Sequence, residues 1–198
     1  IPRANVSALR INEILTTNLS ITDDEHVQSF DGNEHGTIRF ENVSFRYPGA
    51  DEDILTDISF EAKPGEVTAF IGSTGSGKST LINLVPRFYD VSEGSISIDG
   101  KDIRNVEQKD LRNKIGYVPQ KGILLAGTIR SNLLYANPNA SEEDIDEALR
   151  ISQSKEFVDT KPLGVDEPIS QGGTNVSVDR NKDFYRTCYY QKAGNLYF

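Results

Sequence analysis

Eight residues beginning at Gly72 carry the clearest chemical pattern in the chain. They read Gly72-Ser-Thr-Gly-Ser-Gly-Lys78-Ser79 and match in full the spacing G-x-x-x-x-G-K-[ST]. The loop glycines lack a Cβ, so the backbone can fold closely around a phosphate and direct its N–H groups at it. In such a loop Lys78 neutralises the terminal phosphates and the Ser79 hydroxyl ligates Mg²⁺. The pattern therefore predicts a site for a nucleoside triphosphate with Mg²⁺.

The segments on either side of this loop support the same prediction. Val67–Ile71 is a short apolar run, which is typical of a strand buried on both faces of a sheet. Ser79–Val85 predicts a helix, whose positive N-terminal end would face the bound phosphates. A Gly/Ser-rich turn that holds a lysine by coincidence is the alternative, and it does not account for this strand–loop–helix context.

The rest of the chain mixes strand and helix patterns. Ile38 and Phe40 alternate with polar residues, and Asp99-Gly100 predicts a hairpin turn between two short strands. The further predicted strands are Val43–Arg46, Ile58–Ala62 and Lys114–Val118. Residues 4–16 predict a helix, residues 17–36 a polar linker, and Ser141 the N-cap of a helix that buries Ile145, Ala148 and Leu149. The predicted fold class is therefore α/β.

Composition limits the classes of function. The chain has 198 residues, a net charge of −9 and one cysteine, Cys188. An acidic chain lacks the basic surface that broad nucleic-acid binding requires, so no nucleic-acid partner is expected. No apolar run approaches the roughly 20 residues that span a bilayer. The sequence begins at Ile1 and contains no methionine, which predicts that it is a piece of a longer protein.

From Ile1 to Ser177 the sequence resembles the nucleotide-binding domain of ATP-binding cassette (ABC) exporters with a fused membrane domain. The resemblance rests on the phosphate loop and on three further motifs in the family's order. These are Phe45-Arg-Tyr47-Pro-Gly49, similar to the adenine-stacking A-loop; Tyr117-Val-Pro-Gln120, similar to the Q-loop; and Gln171–Ser177, similar to the approach to the signature motif. The resemblance implies a P-loop NTPase core sheet with an antiparallel β subdomain and the start of a helical subdomain.

The resemblance also implies the roles of the site residues. Tyr47 would stack on adenine, and Gln120 would reach Mg²⁺ and the attacking water. The implied ATP-binding residues are Tyr47, Gly72, Ser73, Thr74, Gly75, Ser76, Gly77, Lys78, Ser79, Thr80 and Gln120, of which Ser79 and Gln120 are the implied Mg²⁺ ligands. Without the phosphate loop, a lone tyrosine in a strand is more often a packing residue.

The resemblance further implies partners and a location. Such a domain pairs with a second nucleotide-binding domain, identical or paralogous, and meets its membrane domain near Gln120–Leu133. It would lie at the cytoplasmic face of the plasma membrane and couple ATP hydrolysis to export of a substrate. The alternative is a soluble ABC-type ATPase that transports nothing. The segment Ile1–Leu15, with Arg3 and Arg10, favours the exporter because it suits the cytosolic extension of a membrane helix.

The family pattern stops after Ser177. Val178–Phe198 lacks the signature glycines, the Walker B aspartate and the catalytic glutamate, so the chain is expected to end before Walker B and to be binding-only or inactive, although the parent protein would hydrolyse ATP. Codons can be chosen that regroup this tail into the family sequence, which predicts a shifted reading frame; a cloning scar is the alternative. The predicted divisions are residues 1–36 (juxtamembrane helix and linker), 37–177 (nucleotide-binding part) and 178–198 (aberrant tail).

Overall fold

The computed structural model describes residues 2–17, 20–23, 27–30, 36–120, 124–175 and 196–197. Within these ranges the helices are α1 (Pro2–Thr16), α2 (Lys78–Leu84), α3 (Gln108–Asn113), α4 (Ile129–Ala136), α5 (Glu142–Ile151) and α6 (Lys155–Asp159). The strands are β1 (Ile38–Phe45), β2 (Leu55–Ala62), β3 (Glu93–Ile98), β4 (Lys101–Asp102), β5 (Ile115–Gly116), β6 (Gly127–Thr128), β7 (Pro168–Ile169) and β8 (Leu196–Tyr197). The predicted α/β class is confirmed.

A four-stranded antiparallel sheet in the order β2-β1-β3-β4 forms one layer of the molecule. The predicted alternation in β1 is confirmed, because Ile38 and Phe40 are buried while Arg39 is exposed. Phe40 lies opposite Phe60 of β2, and the two rings stack with centroids 4.5 Å apart. The sheet thus presents an apolar face on which α2 and its neighbours can pack.

Strand β1 is longer than the sequence predicted. Val43–Phe45, predicted to begin a separate strand, continues β1 after a change of register between Phe40 and Val43. Asn42 lies at this irregularity with a φ of 49°. A bulge of this kind shifts which side chains face inward, and Val43 is fully buried immediately after it.

The predicted hairpin is confirmed as β3 and β4. Asp99 and Gly100 have φ values of 48° and 79°, as a two-residue turn with positive φ at both positions requires. The Asp99 carboxylate also accepts hydrogen bonds from the backbone N–H groups of Gly36 and Thr37, at 2.8 and 2.9 Å. The turn therefore holds the segment that leads into β1.

A second apolar core lies among α4, α5 and α6. Ser141 caps α5 by accepting a hydrogen bond from the N–H of Asp144, whose carboxylate in turn accepts from the Ser141 N–H. This reciprocal cap, with Ile145, Ala148 and Leu149 buried behind it, confirms the predicted start and inward face of this helix. The same hydrogen bonds lower the pKa of the Asp144 carboxyl, the backbone bond contributing most.

The prediction that Val67–Ile71 is a strand buried on both faces is wrong. The structure assigns no strand there, and Val67 and Ile71 are 97% and 96% exposed. A parallel strand is buried only when neighbours flank it and helices cover the sheet. Among the described residues no strand pairs with this segment. Only Phe70 packs inward, its ring 5.2 Å from that of Phe60.

The predicted strand Lys114–Val118 is confirmed only in part, as the two-residue β5. It pairs in parallel with β8 of the tail, Ile115 opposite Leu196 and Gly116 opposite Tyr197. The rest of the tail predicted to be aberrant, residues 178–195 and 198, lies outside the described residues. The three predicted divisions of the chain therefore stay predictions.

The helix predicted near the N-terminus is confirmed as α1, with its apolar side chains Leu9 and Ile14 exposed. The described parts of the linker lie against the sheet domain: Gln28 accepts a backbone hydrogen bond from Glu107 and donates one to Asn105. No helix within the described residues is long and apolar enough to cross a membrane.

Candidate functional site

The lysine of the Gly72–Ser79 loop folds back into its own loop. Lys78 Nζ donates hydrogen bonds to the carbonyl oxygens of Gly72 and Ser73, at 2.9 and 2.6 Å, and to Ser76 Oγ at 3.1 Å. These contacts close the loop around the ammonium group and keep it at the centre of the predicted phosphate site. A ligand phosphate would compete for the same charge.

The glycines have the backbone geometry that the motif requires. Gly75 and Gly77 both have a φ of 84°, in the left-handed region that favours glycine. Gly77 is the N-cap of α2, and the helix begins at Lys78, one residue before the predicted Ser79. The helix buries Thr80, Leu81 and Leu84, so the loop is anchored on its C-terminal side by core packing.

Tyr47 lies in a tight turn between β1 and β2. Its carbonyl accepts a hydrogen bond from the Ala50 N–H at 3.0 Å, with Pro48 and Gly49 between them and Gly49 at a φ of 80°. Proline followed by a glycine with positive φ is the signature of a type II turn. The half-buried Tyr47 ring then reaches α2, where its hydroxyl lies 2.9 Å from Thr80 Oγ1. The structure thus brings Tyr47 to the helix that follows the phosphate loop.

Gln120 and Ser79 are both exposed, and the structure does not join them. No hydrogen bond links Gln120 to the Gly72–Ser79 loop in the part of the chain that is described. The segment before Gln120 is tied to α2, because the Tyr117 hydroxyl donates to Asn83 Oδ1 at 2.8 Å. Burial raises the pKa of that hydroxyl, which therefore stays protonated and able to donate.

The loop fits a nucleoside triphosphate. Its backbone is exposed, its glycines have the required conformation, and one cation lies at its centre. The Ser79 hydroxyl is an oxygen donor of the kind Mg²⁺ takes, and Mg²⁺ keeps most of its ligands as water and substrate phosphate. The residues present therefore fit both groups.

The molecule also contains an apolar cavity of about 360 Å³ between the sheet and α2. Its walls include Ile38, Phe60, Val67 and Leu81, whereas residues 72–79, all of them described, take no part in the lining. Lys63 and Glu66 also line the cavity, and these opposite charges leave no net positive charge to balance phosphate. The phosphate loop, rather than this cavity, is the candidate site.

Sequence reasoning did not identify two polar anchors of the site region. Asn83 accepts the hydrogen bond from Tyr117, and the buried Asn132 exchanges hydrogen bonds with the backbone of Leu125 at 2.8 and 3.0 Å. Both are asparagines inside apolar helix patterns, Leu81–Val85 and Ile129–Leu134. A buried amide must find partners, so an amide at a core-facing helix position is the signal that could have identified them.

The loop after Gln120 is joined to the segment that resembles the approach to the signature motif. Leu124 is buried in the second core, and its carbonyl accepts a hydrogen bond from the Gly172 N–H at 2.9 Å. Lys121–Ile123 and residues 176–177 lie outside the described residues. The predicted membrane-domain surface Gln120–Leu133 is therefore described only in part.

Comparison with known proteins decides the family. The model of the ABC transporter family matches residues 55–176, more than half of the chain. The chain belongs to the ABC transporter family. The predicted resemblance is thereby confirmed, and the fold class with it.

Individual ABC proteins match over most of the chain. The ABC transporter ATP-binding protein YfiB of Bacillus subtilis is 41% identical over 88% of the chain, which covers 30% of that protein. YgaD of Bacillus subtilis, whose provisional name describes a multidrug export ATP-binding/permease protein, is 42% identical over 72% of the chain and 24% of its own length.

A solved structure shows the same fold. The chain is similar to a bacterial Atm1-family ABC exporter with ATP bound, at 32% identity and a TM-score of 0.85, over 96% of the chain and 33% of that exporter. The chain thus spans about a third or less of the length of each of these proteins.

Proposed function

We propose that this chain is the ATP-binding part of an ABC exporter. The observation that carries the proposal is the complete phosphate loop with its lysine: Lys78 Nζ lies within 3.1 Å of three oxygens of its own loop, at the N-terminus of a packed helix. In the full protein, ATP hydrolysis would drive export of a substrate across a membrane. The matched proteins with transport names favour this function over a soluble ABC-type ATPase.

The nucleotide would occupy the loop from Gly72 to Thr80 and extend to Tyr47. Lys78 would release its loop oxygens and neutralise the terminal phosphates, while the backbone N–H groups of the loop hold them in place. Mg²⁺ would be ligated by the Ser79 hydroxyl and approached by Gln120, and when bound it would supply charge neutralisation between the phosphates. The purine base would stack on the Tyr47 ring.

The partners and location follow from the same proposal. A second nucleotide-binding domain would complete the ATP site, and a membrane domain would contact Gln120–Leu133. Residues 1–36 would connect to that membrane domain, and residues 37–177 would lie at its cytoplasmic face. The 198-residue chain alone is proposed to bind ATP without useful turnover, because the tail offers no carboxylate pair with the family's spacing.

Equilibrium binding of Mg²⁺-ATP to the purified chain tests the proposal. Lys78→Ala removes a charge-assisted contact and is expected to weaken binding by about 2–4 kcal/mol. Lys63→Ala is the matched control, since the Lys63 side chain is 62% exposed and lies outside the loop. Equal ATP affinity of wild type and Lys78→Ala would overturn the assignment of the loop.

A further inference from the structure

We propose that Thr80 is a positioning residue for the base of the nucleotide, acting through the hydroxyl of Tyr47. The inference rests on the proposed function, and it gives the Thr80 hydroxyl a role toward the base in addition to its place in the phosphate loop. Tyr47 Oη and Thr80 Oγ1 lie 2.9 Å apart, although 33 residues separate them in the sequence. This one hydrogen bond joins the turn that would hold the base to the helix that would hold the phosphates.

The Thr80 end of the hydrogen bond is rigid. Thr80 is 7% exposed in the first turn of α2, between the buried Gly77 and Leu81. A branched side chain in a helix has few rotamers, and a buried hydroxyl must have a partner. Tyr47 supplies that partner, so the Thr80 hydroxyl is fixed in position by this hydrogen bond before any ligand binds.

The Tyr47 end is held from two other directions. The type II turn fixes its backbone, and two aromatic rings meet its ring nearly at right angles. Phe45 lies 4.9 Å from it at 82°, and Tyr89 lies 5.2 Å from it at 88°. The hydrogen bond to Thr80 adds the constraint at the tip of the side chain. A ring held in this way costs little entropy to order when a base stacks on it.

The position of Thr80 also limits how far the Tyr47 ring can lie from Lys78. It lies two residues after Lys78 on the same helix, so the bond fixes the base-stacking ring relative to the lysine that would meet the terminal phosphates. A ligand that engages both groups must carry an aromatic base and a polyphosphate at that separation. Bare polyphosphate would use the phosphate loop alone and would not depend on the position of the Tyr47 ring.

The test measures two ligands, Mg²⁺-ATP and inorganic tripolyphosphate with Mg²⁺, against the purified full chain. The variants are Thr80→Val, Tyr47→Phe and the double variant, each of which removes a hydroxyl and keeps the shape of the side chain. Each single variant is expected to weaken ATP binding about two- to tenfold, the range for one net hydrogen bond. The double variant is expected to bind ATP no more weakly than the weaker-binding single variant, and the tripolyphosphate affinity of Tyr47→Phe, which keeps Thr80, is expected to stay within about twofold of wild type.

Several outcomes would overturn the inference. Multiplicative losses in the double variant would mean that the two hydroxyls act independently. A parallel loss of tripolyphosphate affinity in Tyr47→Phe would mean that the tyrosine hydroxyl acts on the phosphates and not on the base. Unchanged ATP affinity in both single variants would mean that the bond has no role in binding. In each of these cases Lys78→Ala still loses ATP, so the proposed function survives.

Two further variants separate the hydrogen bond from packing. Thr80→Ser keeps the hydroxyl and removes the methyl group, so ATP affinity close to wild type is expected; a loss equal to that of Thr80→Val would assign the effect to packing and overturn the inference. Thr56→Val and Tyr135→Phe are matched controls at exposed positions, Tyr135 being 78% exposed. If wild type binds neither ATP nor tripolyphosphate, the proposed function fails, and this inference fails with it.

Discussion

The two flanks of the phosphate loop differ sharply in how they are held. On the C-terminal side, Leu81, Leu84 and Val85 are buried, with exposures of 7%, 0% and 1%. On the N-terminal side, Val67 and Ile71 are almost fully exposed. Both flanks are equally apolar in sequence, so hydrophobicity alone does not decide which of them is buried.

The difference lies in where the partners come from. A helix makes its own backbone hydrogen bonds, and α2 needs only one apolar surface, which β1 and β2 supply. A buried parallel strand needs hydrogen-bonded neighbours and covering helices, and these come from distant parts of a chain. The proposed phosphate site depends on the C-terminal flank, which makes its own backbone hydrogen bonds, because the Lys78 and Thr80 side chains belong to α2.

Arg87 lies just past the C-terminal end of α2, and its replacement is expected to lower the unfolding free energy more than any other change proposed for the two flanks. Its side chain is only 6% exposed and pairs with Asp90 at 2.8 Å and with Asp23 of the linker at 3.6 Å. It also donates to the Arg104 carbonyl oxygen at 3.2 Å. Arg87→Ala removes this donor from the half-buried Asp90 carboxylate and the Arg104 carbonyl, while Asp23 keeps its hydrogen bonds from Gln108, so unfolding free energy should fall by about 2–4 kcal/mol.

Chemical denaturation of the full chain measures this loss. Arg39→Ala is the control, because Arg39 and Glu41 form a pair whose side chains are 57% and 50% exposed. A pair at that exposure contributes at most about 1 kcal/mol. Equal losses of unfolding free energy in Arg87→Ala and Arg39→Ala would show that the contacts of Arg87 do not stabilise the C-terminal flank of the phosphate loop.

Gly77 and Gly75 form a matched pair for the next largest effect. Both have a φ of 84°, so alanine at either position is strained by about 1–2 kcal/mol. At Gly77 a Cβ would also lie 2.7 Å from Leu55 Cδ2 and 3.0 Å from the Ile54 carbonyl oxygen, whereas at Gly75 it would meet nothing within 4 Å. We therefore expect Gly77→Ala to destabilise by about 1–3 kcal/mol more than Gly75→Ala.

The two melting curves, taken without nucleotide, measure that excess as a difference in unfolding free energy. Indistinguishable curves would mean that the loop is not pressed against the start of β2. A smaller loss of unfolding free energy in Gly77→Ala than in Gly75→Ala would mean that the tighter contact lies at Gly75 and not at Gly77.

The same contrast explains what the sequence could predict. Elements defined by local chemistry were predicted closely: the Asp99-Gly100 turn, the Ser141 cap and the start of α2 within one residue. Each depends on neighbours a few residues away, so a short window contains the whole cause. The loop residues of the candidate site were predicted from an equally short window, and their role in binding stays a prediction.

Features that depend on distant partners were missed. The prediction for Val67–Ile71 failed because periodicity reports how apolar a strand is, and not whether neighbours exist to bury it. The Tyr47–Thr80 hydrogen bond joins residues 33 positions apart, so no local pattern could reveal it. The bulge near Asn42 merged two predicted strands into one, since period-two counting assumes an unbroken register.

The smallest expected effect comes from placing a hydroxyl at Val67 of the N-terminal flank, with the buried Val43 of β1 as the reference position. Val43→Thr and Val67→Thr make the same nearly isosteric change at 0% and 97% exposure. Inside the core the hydroxyl loses water without a ready partner, which costs about 1–3 kcal/mol of unfolding free energy. At Val67 the hydroxyl stays hydrated, so a change within about 0.5 kcal/mol is expected.

Denaturation of both variants decides whether the N-terminal flank is exposed in solution. If Val67→Thr costs as much as Val43→Thr, the segment is buried and the original strand prediction is restored. If it costs nothing, the phosphate loop is held from its C-terminal side alone. In that case ATP affinity should also be unchanged in Val67→Thr, because the groups that would bind phosphate are fixed by α2 and not by the segment before the loop.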